Sequence, residues 1–241
     1  MNVRELGGLP TADGSETRFG SVVRADSVSQ LSEEGWRALV GHGIRTVIDL
    51  RGDHEREEDP PAELPVEVVH VPFMEASEAE WEVIAEEIEA AAAAAPDVAT
   101  STRDVYLIFL ERFRDNVAAA VRAVAHAPEG GVVIHCVGGK DRTGLLAALL
   151  LRVAGVPPDV IADDYALTEA ALAPVQARWI AAAPDEAERR RRILLEPAPA
   201  AAMRRLLEEL DARHGGVPEY LRGAGVSDDE LARVRNRLVA A

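Results

Sequence analysis

With 241 residues, 48% of them hydrophobic but only 4% aromatic, the chain has the size of one α/β domain whose core must be built from Ala, Leu, Val and Ile. A formal charge of −16 counts against a counterion-releasing nucleic-acid surface and against steady attachment to acidic lipid. No apolar run approaches the roughly 18 to 20 residues of a membrane span, and Met1–Pro10 carries no basic stretch ahead of an apolar one, so a cytoplasmic protein is expected.

From Asn2 to Val23 the chain is Gly-rich and weakly patterned, which predicts short strands or turns that support a later sheet. Ser32 ahead of Glu33 and Glu34 reads as an N-cap with acidic residues in the positive first turn of a helix; Trp36, Leu39 and Val40 supply its apolar face, and Gly41 and Gly43 end it. Ile44–Leu50 and Val66–Val71 read as buried strands, joined by the charged, proline-bearing stretch 51–65. Ser77 and Glu80 form a capping box before a helix with Trp81, Ile84 and Ile88 on its apolar face, stopping by Pro96. Val105, Ile108, Phe109, Phe113, Val117, Val121 and Val124 recur at three- and four-residue spacing, which predicts one long amphipathic helix over Arg103–His126.

Gly130 and Gly131 then release the chain into Val132–His135, a β-branched run of the kind buried in parallel sheets. Thr143–Val153 is apolar nearly all round, as in a helix packed on a sheet, and Gly155 and Pro157 end it. Helical segments over Asp159–Leu172, Val175–Leu195, Ala200–Arg213 and Asp228–Val239, the last behind a Ser227/Glu230 capping box, fill the C-terminal half. Strands alternating with helices ahead of a helical tail predict a single α/β domain over residues 1–241, with a mostly parallel sheet flanked by helices.

Between the strand and the helix stands His135-Cys136-Val137-Gly138-Gly139-Lys140-Asp141-Arg142-Thr143-Gly144. The chain's only cysteine lies six residues before an arginine, a spacing that by itself is weak evidence. The setting makes it specific. Strand, glycines and helix start bring the backbone N–H groups of residues 137–143 around one point at the positive end of a helix dipole, which is an anion cradle. Gly138 and Gly139 are expected to permit turns that an L-residue resists, and Arg142 adds a planar fork matching two phosphate oxygens. An anion cradle favours the thiolate form of a cysteine at its base, and a thiolate there can attack phosphorus in line to give a cysteinyl phosphate that water later displaces.

In this chemistry Asp141 is the candidate proton donor to the leaving oxygen and base toward water, and Thr143 a candidate hydroxyl donor to the sulfur. Lys140 is suited to phosphoryl charge or to a second anionic group on the substrate, and His135 to ordering the loop. No cofactor or metal is expected: a lone cysteine gives no multi-Cys zinc site, and the histidines are too scattered for a local metal motif.

Blander readings stand beside these. A lone cysteine is commonly a small buried hydrophobe, and Asp141 can merely pair with Lys140 or Arg142. Arg51 at a strand end is a candidate for meeting substrate and equally for a salt bridge to Glu55, and Asp164 and Tyr165 read as packing and helix-capping residues, with lining of the site as their alternative. A rhodanese-like sulfur carrier also presents a cysteine on a loop of this size but needs neither Asp141 nor Thr143, and a phosphate-binding pseudophosphatase does not need Cys136 and Asp141 together. A nucleotide-binding P-loop fails, because Asp141 follows Lys140 where Ser or Thr would hold magnesium.

The residues from His135 to Gly144 resemble the signature of the bacterial cysteine-dependent tyrosine phosphatases, HCxxGKDRTG, a group also associated with phosphoinositide hydrolysis. The likeness extends to Asn2-Val3-Arg4-Glu5-Leu6-Gly7-Gly8, Arg24 with Asp26, Asp49-Leu50-Arg51 with Glu55, Asp164-Tyr165-Ala166-Leu167-Thr168, and Tyr220-Leu221. It departs at Glu5, where the family usually has Asp, and at Ala25, where it often has Ser. The resemblance implies a cysteine-phosphatase fold with a helical lid, for which about 77–126 is the expected source. It further implies Cys136 as nucleophile, Arg142 as phosphate clamp and Asp141 as an acid held inside the loop. Met74–Glu82 contains no Asp, so an outside acid from that stretch would have to be a Glu. The expected partner is a phosphorylated substrate: a phosphotyrosine protein or similar aryl phosphate, with a phosphoinositide or a small phosphorylated metabolite as alternatives.

Overall fold

A computed structural model describes residues 1–59, 66–195 and 197–239. Its strands are β1 (Arg4–Glu5), β2 (Val22–Ala25), β3 (Ile44–Asp49), β4 (Glu67–His70) and β5 (Gly131–His135). They form one sheet in the order β1-β2-β5-β3-β4, parallel except for the antiparallel edge strand β1. The β-branched run of β5 explains its central place: all its residues are buried, with Val132 and Ile134 facing one core and Val133 the other, as a strand covered on both sides requires. Because β2, β5 and β3 run parallel and in register, Ala25, His135 and Asp49 end side by side, and the loops that follow them converge at that edge.

The two faces are unequally covered. On the smaller side α1 (Glu33–Gly41) lays Trp36 against Val23, Val47 and Val133, its start capped by Ser32 Oγ, which accepts from the Gly35 N–H at 3.2 Å. The short α2 (Asp53–Glu58) follows β3 almost at once. Residues 60–65, the rest of the expected connection to β4, lie outside the described residues. The larger core is built by α5 (Arg114–His126) and α6 (Asp141–Val153), with α9 (Ala200–His214), α10 (Val217–Gly223) and α11 (Asp228–Leu238) behind them. Beside these lie α3 (Glu78–Ala94), α4 (Val98–Arg112), α7 (Pro158–Ala181) and α8 (Glu186–Leu195). The capping boxes expected at Ser77/Glu80 and Ser227/Glu230 are both formed, each glutamate accepting from the serine N–H at 2.8 Å. None of the described helices is long and apolar enough to cross a membrane.

Two helical expectations are corrected. The single helix predicted over Arg103–His126 is two, α4 and α5, bent at Phe113, whose φ of −109° and ψ of 30° leave the helical range. The periodic stripe serves two different partners. Phe113 is buried against Trp81 of α3, ring centroids 5.3 Å apart, whereas Val117, Val121 and Val124 lie in the sheet core, and one straight helix cannot reach both. The buried positions of α4 are consequently Ala99, Tyr106, Leu107 and Leu110, the last three offset from the predicted Val105, Ile108 and Phe109. The second correction concerns Asp159–Leu172, which does not stop there: α7 runs through Pro174 to Ala181. An internal proline costs a helix about 3 kcal/mol through a lost hydrogen bond and a clash. Here α7 packs along α9 and buries Leu172 and Gln176 on either side of the proline, which offsets that cost.

Candidate active site

β5 ends at His135, and residues 136–140 turn directly into α6. What shapes this loop is where its carbonyls go. Val137 O accepts from the Ser27 N–H at 2.9 Å; Gly138 O accepts from Asn2 Nδ2 at 3.2 Å; Gly139 O accepts from Asn2 Nδ2 at 3.0 Å and from Arg24 Nη2 at 2.9 Å. In a planar trans peptide the C=O points away from the next residue's N–H. Tying three successive carbonyls outward therefore turns the amides of Gly138, Gly139 and Lys140 into the hollow of the loop, at whose base Cys136 is buried.

Only one of the two glycines is conformationally required. Gly139 has φ +64°, and a Cβ there would lie 2.6 Å from Ala25 O; Gly138 has no positive φ, and its Cβ would meet open space. The outer holders are themselves fixed. Asn2 N–H donates to Asp26 Oδ2 at 2.9 Å, and Arg24 is paired through Nη1 with Asp164 Oδ2 at 2.7 Å. Asp164 also takes Arg4 Nε at 2.8 Å, so it sits inside α7 as the acceptor of two arginines and not as the helix cap expected from its position. His135 is buried, with Nδ1 donating to Cys136 O at 3.2 Å; burial pulls its pKa below the ordinary value, against the attraction of Asp49, and keeps it neutral.

Arg142, in the first turn of α6, holds Glu55 of α2 in a bidentate pair, Nη2 to Oε1 at 2.7 Å and Nη1 to Oε2. Glu55 Oε2 also accepts from the Gly52 N–H at 2.8 Å, which locks the carboxylate before it meets the arginine. Burial acts against the charged form of Arg142, but the bonds to Glu55 and the pull of Cys136 outweigh it and raise its pKa. Burial likewise opposes Glu55's charge, and the Arg142 hydrogen bonds overcome this and hold it below the ordinary carboxylate range. The expected Arg51–Glu55 bridge is not formed. Arg51 instead pairs with Asp49, Nη2 to Oδ2 at 2.8 Å and Nε to Oδ1 at 3.0 Å, and reaches the Asp59 carbonyl at 2.9 Å. The signal that places Glu55 at the site is topological: it sits on the first short helix after a parallel strand, at the edge where the Cys136 loop also emerges.

Asp141 opens α6 with its side chain about half exposed, and Lys140 Nζ stands 3.7 Å from its Oδ1. The Tyr106 hydroxyl donates to the same Oδ1 at 2.6 Å and shares a 2.7 Å hydrogen bond with the Tyr165 hydroxyl. Both tyrosines are buried, and burial together with the nearby Asp141 charge raises their pKa above the ordinary phenol value, so both stay protonated. Tyr106 escaped the sequence reading because it stands beside the apolar stripe and not on it. Thr143 is fully buried, and its Oγ1 meets no hydrogen-bond partner among the described residues. No cluster of three or more His, Cys, Asp or Glu suited to a metal occurs among the described residues.

A model of the tyrosine phosphatase family matches residues 1–240. The chain belongs to that family. This phosphatase is 26% identical over 281 aligned positions to the triple specificity protein phosphatase PtpB of Mycobacterium tuberculosis, covering 99% of this chain and 100% of the relative. It is 26% identical over 230 positions to a tyrosine-protein phosphatase of Nostoc commune, covering 90% of this chain and 73% of that one. A Cupriavidus necator protein with the provisional name tyrosine-protein phosphatase is 30% identical over 250 positions, covering 99% and 86%. The protein is thus a phosphoester hydrolase of the tyrosine-phosphatase type.

Proposed function

We propose that the phosphatase cleaves phosphotyrosine or similar aryl phosphates through a cysteinyl-phosphate intermediate formed on Cys136. The observation that carries this reading is the outward tethering of the Val137, Gly138 and Gly139 carbonyls, which leaves fixed amide donors aimed at one point before any substrate arrives. The guanidinium of Arg142 has five N–H donors, of which Glu55 engages two, so the others are left for phosphoryl oxygens. In the first step the Cys136 thiolate forms a bond to phosphorus while the ester P–O bond breaks, and the leaving oxygen takes the proton of a neutral Asp141. In the second, water attacks phosphorus, the Asp141 carboxylate takes its proton, and the P–S bond breaks with its electron pair returning to sulfur, where the unpartnered Thr143 hydroxyl can donate.

Lys140 beside Arg142 favours a substrate with a second anionic group, and phosphoinositides are therefore the next class to test, ahead of small phosphorylated metabolites. A sulfur-carrier role would leave the bonded Asp141 and the poised Thr143 without use. The lid in this reading is α3 with α4, since α5, the remainder of 77–126, packs on β3 and α6. A cytoplasmic setting without nucleic-acid partners completes the proposal, and the charge of −16 supports it.

The test is phosphate release from phosphotyrosine peptides, phosphoserine, phosphoinositides and sugar phosphates, with Cys136→Ser as blank. Cys136→Ser is expected to bind phosphate while losing turnover, and residual activity above about one percent would point to another nucleophile. Asp141→Ala is expected to lower kcat/KM for phosphotyrosine by about 10²-fold and to spare an aryl ester whose leaving group needs no proton. Equal losses on both esters would remove Asp141 from the acid role.

A further inference from the structure

We propose that Tyr106, backed by Tyr165, is the positioning residue that decides which oxygen of Asp141 carries the catalytic proton; this rests on the reading of Asp141 as the general acid. The argument is one of counting hydrogens. The Tyr165 hydroxyl has Tyr106 as its hydrogen-bond partner, and the Tyr106 hydroxyl stands between Tyr165 and Asp141. Each phenol has a single hydrogen. With Tyr165 donating to the Tyr106 oxygen, the Tyr106 hydrogen is left for Asp141 Oδ1 at 2.6 Å. The ammonium of Lys140 approaches the same oxygen.

A proton on Oδ1 would face the Tyr106 hydrogen across that distance. Relief would need Tyr106 to turn its hydrogen toward Tyr165, and the Tyr165 hydrogen, buried with 1% exposure, would then have no acceptor. Oδ2 has no such obstacle. It accepts no hydrogen bond from a described residue and belongs to a side chain that is 47% exposed. The neutral acid therefore carries its proton on Oδ2.

This arrangement has a consequence for both half-reactions. The leaving oxygen departs, and the water later attacks, along the same line through phosphorus. A carboxyl whose Oδ1 is held by Tyr106 gives its proton from Oδ2 in the first step and receives one at Oδ2 in the second, with no rotation between them. Two buried phenols from different helices, α4 and α7, meet at one half-exposed carboxylate, which a packing role alone would not require.

The experiment compares kcat/KM for a phosphotyrosine peptide and for 2,4-dinitrophenyl phosphate in Tyr106→Phe, in Asp141→Ala and in the double variant. Tyr106→Phe is expected to slow the peptide about tenfold and the activated ester less than about twofold, and to add nothing beyond about twofold in the Asp141→Ala background. Tyr165→Phe should show the same pattern at about a third of the size. Should the orphaned Tyr165 hydroxyl unfold Tyr106→Phe, the variant Tyr106→Phe/Tyr165→Phe removes both hydroxyls and is expected to reproduce the tenfold selective loss. Equal slowing of both esters by Tyr106→Phe, or losses that multiply with those of Asp141→Ala, would overturn the inference while leaving Asp141 as the acid. A loss in Asp141→Ala that ignores the leaving group would overturn both.

Discussion

Two arginines stand at the carboxyl ends of neighbouring strands, each gripping a carboxylate with two nitrogens, yet they are built for opposite ends. Arg51 and Asp49 are two residues apart in the chain and 1% exposed each; Arg142 and Glu55 come from separate helices and retain 17% and 20% exposure. The first pair is closed. Its spare donors reach the Asp59 carbonyl and carboxylate, and Asp59 is in turn held by Ser27 and Ser29, so Arg51 staples the far end of α2 to the turn after β2. That turn also supplies the N–H that holds Val137 O. The second pair is open at one side, and the helix that carries Glu55 is the one Arg51 has fixed. A buried ion pair here serves as scaffold for an accessible one, and access to solvent separates a structural arginine from one available to a ligand.

The largest expected effect follows from breaking the closed pair. Arg51→Met leaves the buried Asp49 charge only the partly exposed Arg56, 3.4 Å away, and removes the staple on Asp59, which should cost about 3 kcal/mol in urea unfolding. Adding Asp49→Asn should restore part of that loss, because no uncompensated charge is then left; a single variant within about 1 kcal/mol of the parent would show that the pair is dispensable. Next in size is Arg142→Lys. It keeps the charge and removes the fork, so kcat should fall about 10²-fold while unfolding changes by less than about 1 kcal/mol, the reverse of the Arg51 pattern. If Arg142→Lys destabilised the fold as much as Arg51→Met, the distinction between the pairs would vanish.

The loop that carries Arg142 is legible in the chain, whereas the carboxylate partner of each arginine is not. The run from His135 to Gly144 announces its own chemistry, because a β-branched strand, a glycine turn and a helix start are contiguous and need no tertiary information. The capping boxes at Ser77 and Ser227 are equally local. What escaped depends on distant residues meeting. Arg51 was matched to Glu55 by proximity in sequence, whereas the parallel register of β3 and β5 gives Glu55 to Arg142, 87 residues away. Tyr106 reaches Asp141 only because α4 bends away from α5 at Phe113, and no periodicity marks a bend whose two halves are both amphipathic. By its position alone Asp164 reads as a capping residue; two different strands, β1 and β2, deliver Arg4 and Arg24 to it. The Cys136 loop is a local object, and its supports are not.

The finest test of the comparison is Glu55→Gln. A glutamine keeps the size and one acceptor oxygen, so α2 should remain in place with Arg51 intact, but the guanidinium of Arg142 loses its charged anchor. We expect kcat/KM to fall about tenfold, most of it in KM if the fork still reaches phosphate but with less preorganisation. The pH dependence of stability supplies an independent readout. Glu55 is held below its ordinary value of 4.5 by the Arg142 bonds acting against burial, so the unfolded chain takes up its proton first as pH falls. The stabilisation is therefore complete above that ordinary value and is lost as pH drops through the lower folded value. Glu55→Gln should remove this contribution and make the acid side of the stability curve less steep. An unchanged curve, with kcat/KM also unchanged, would mean that Arg142 needs no partner to be aimed and that the open pair is an incidental contact.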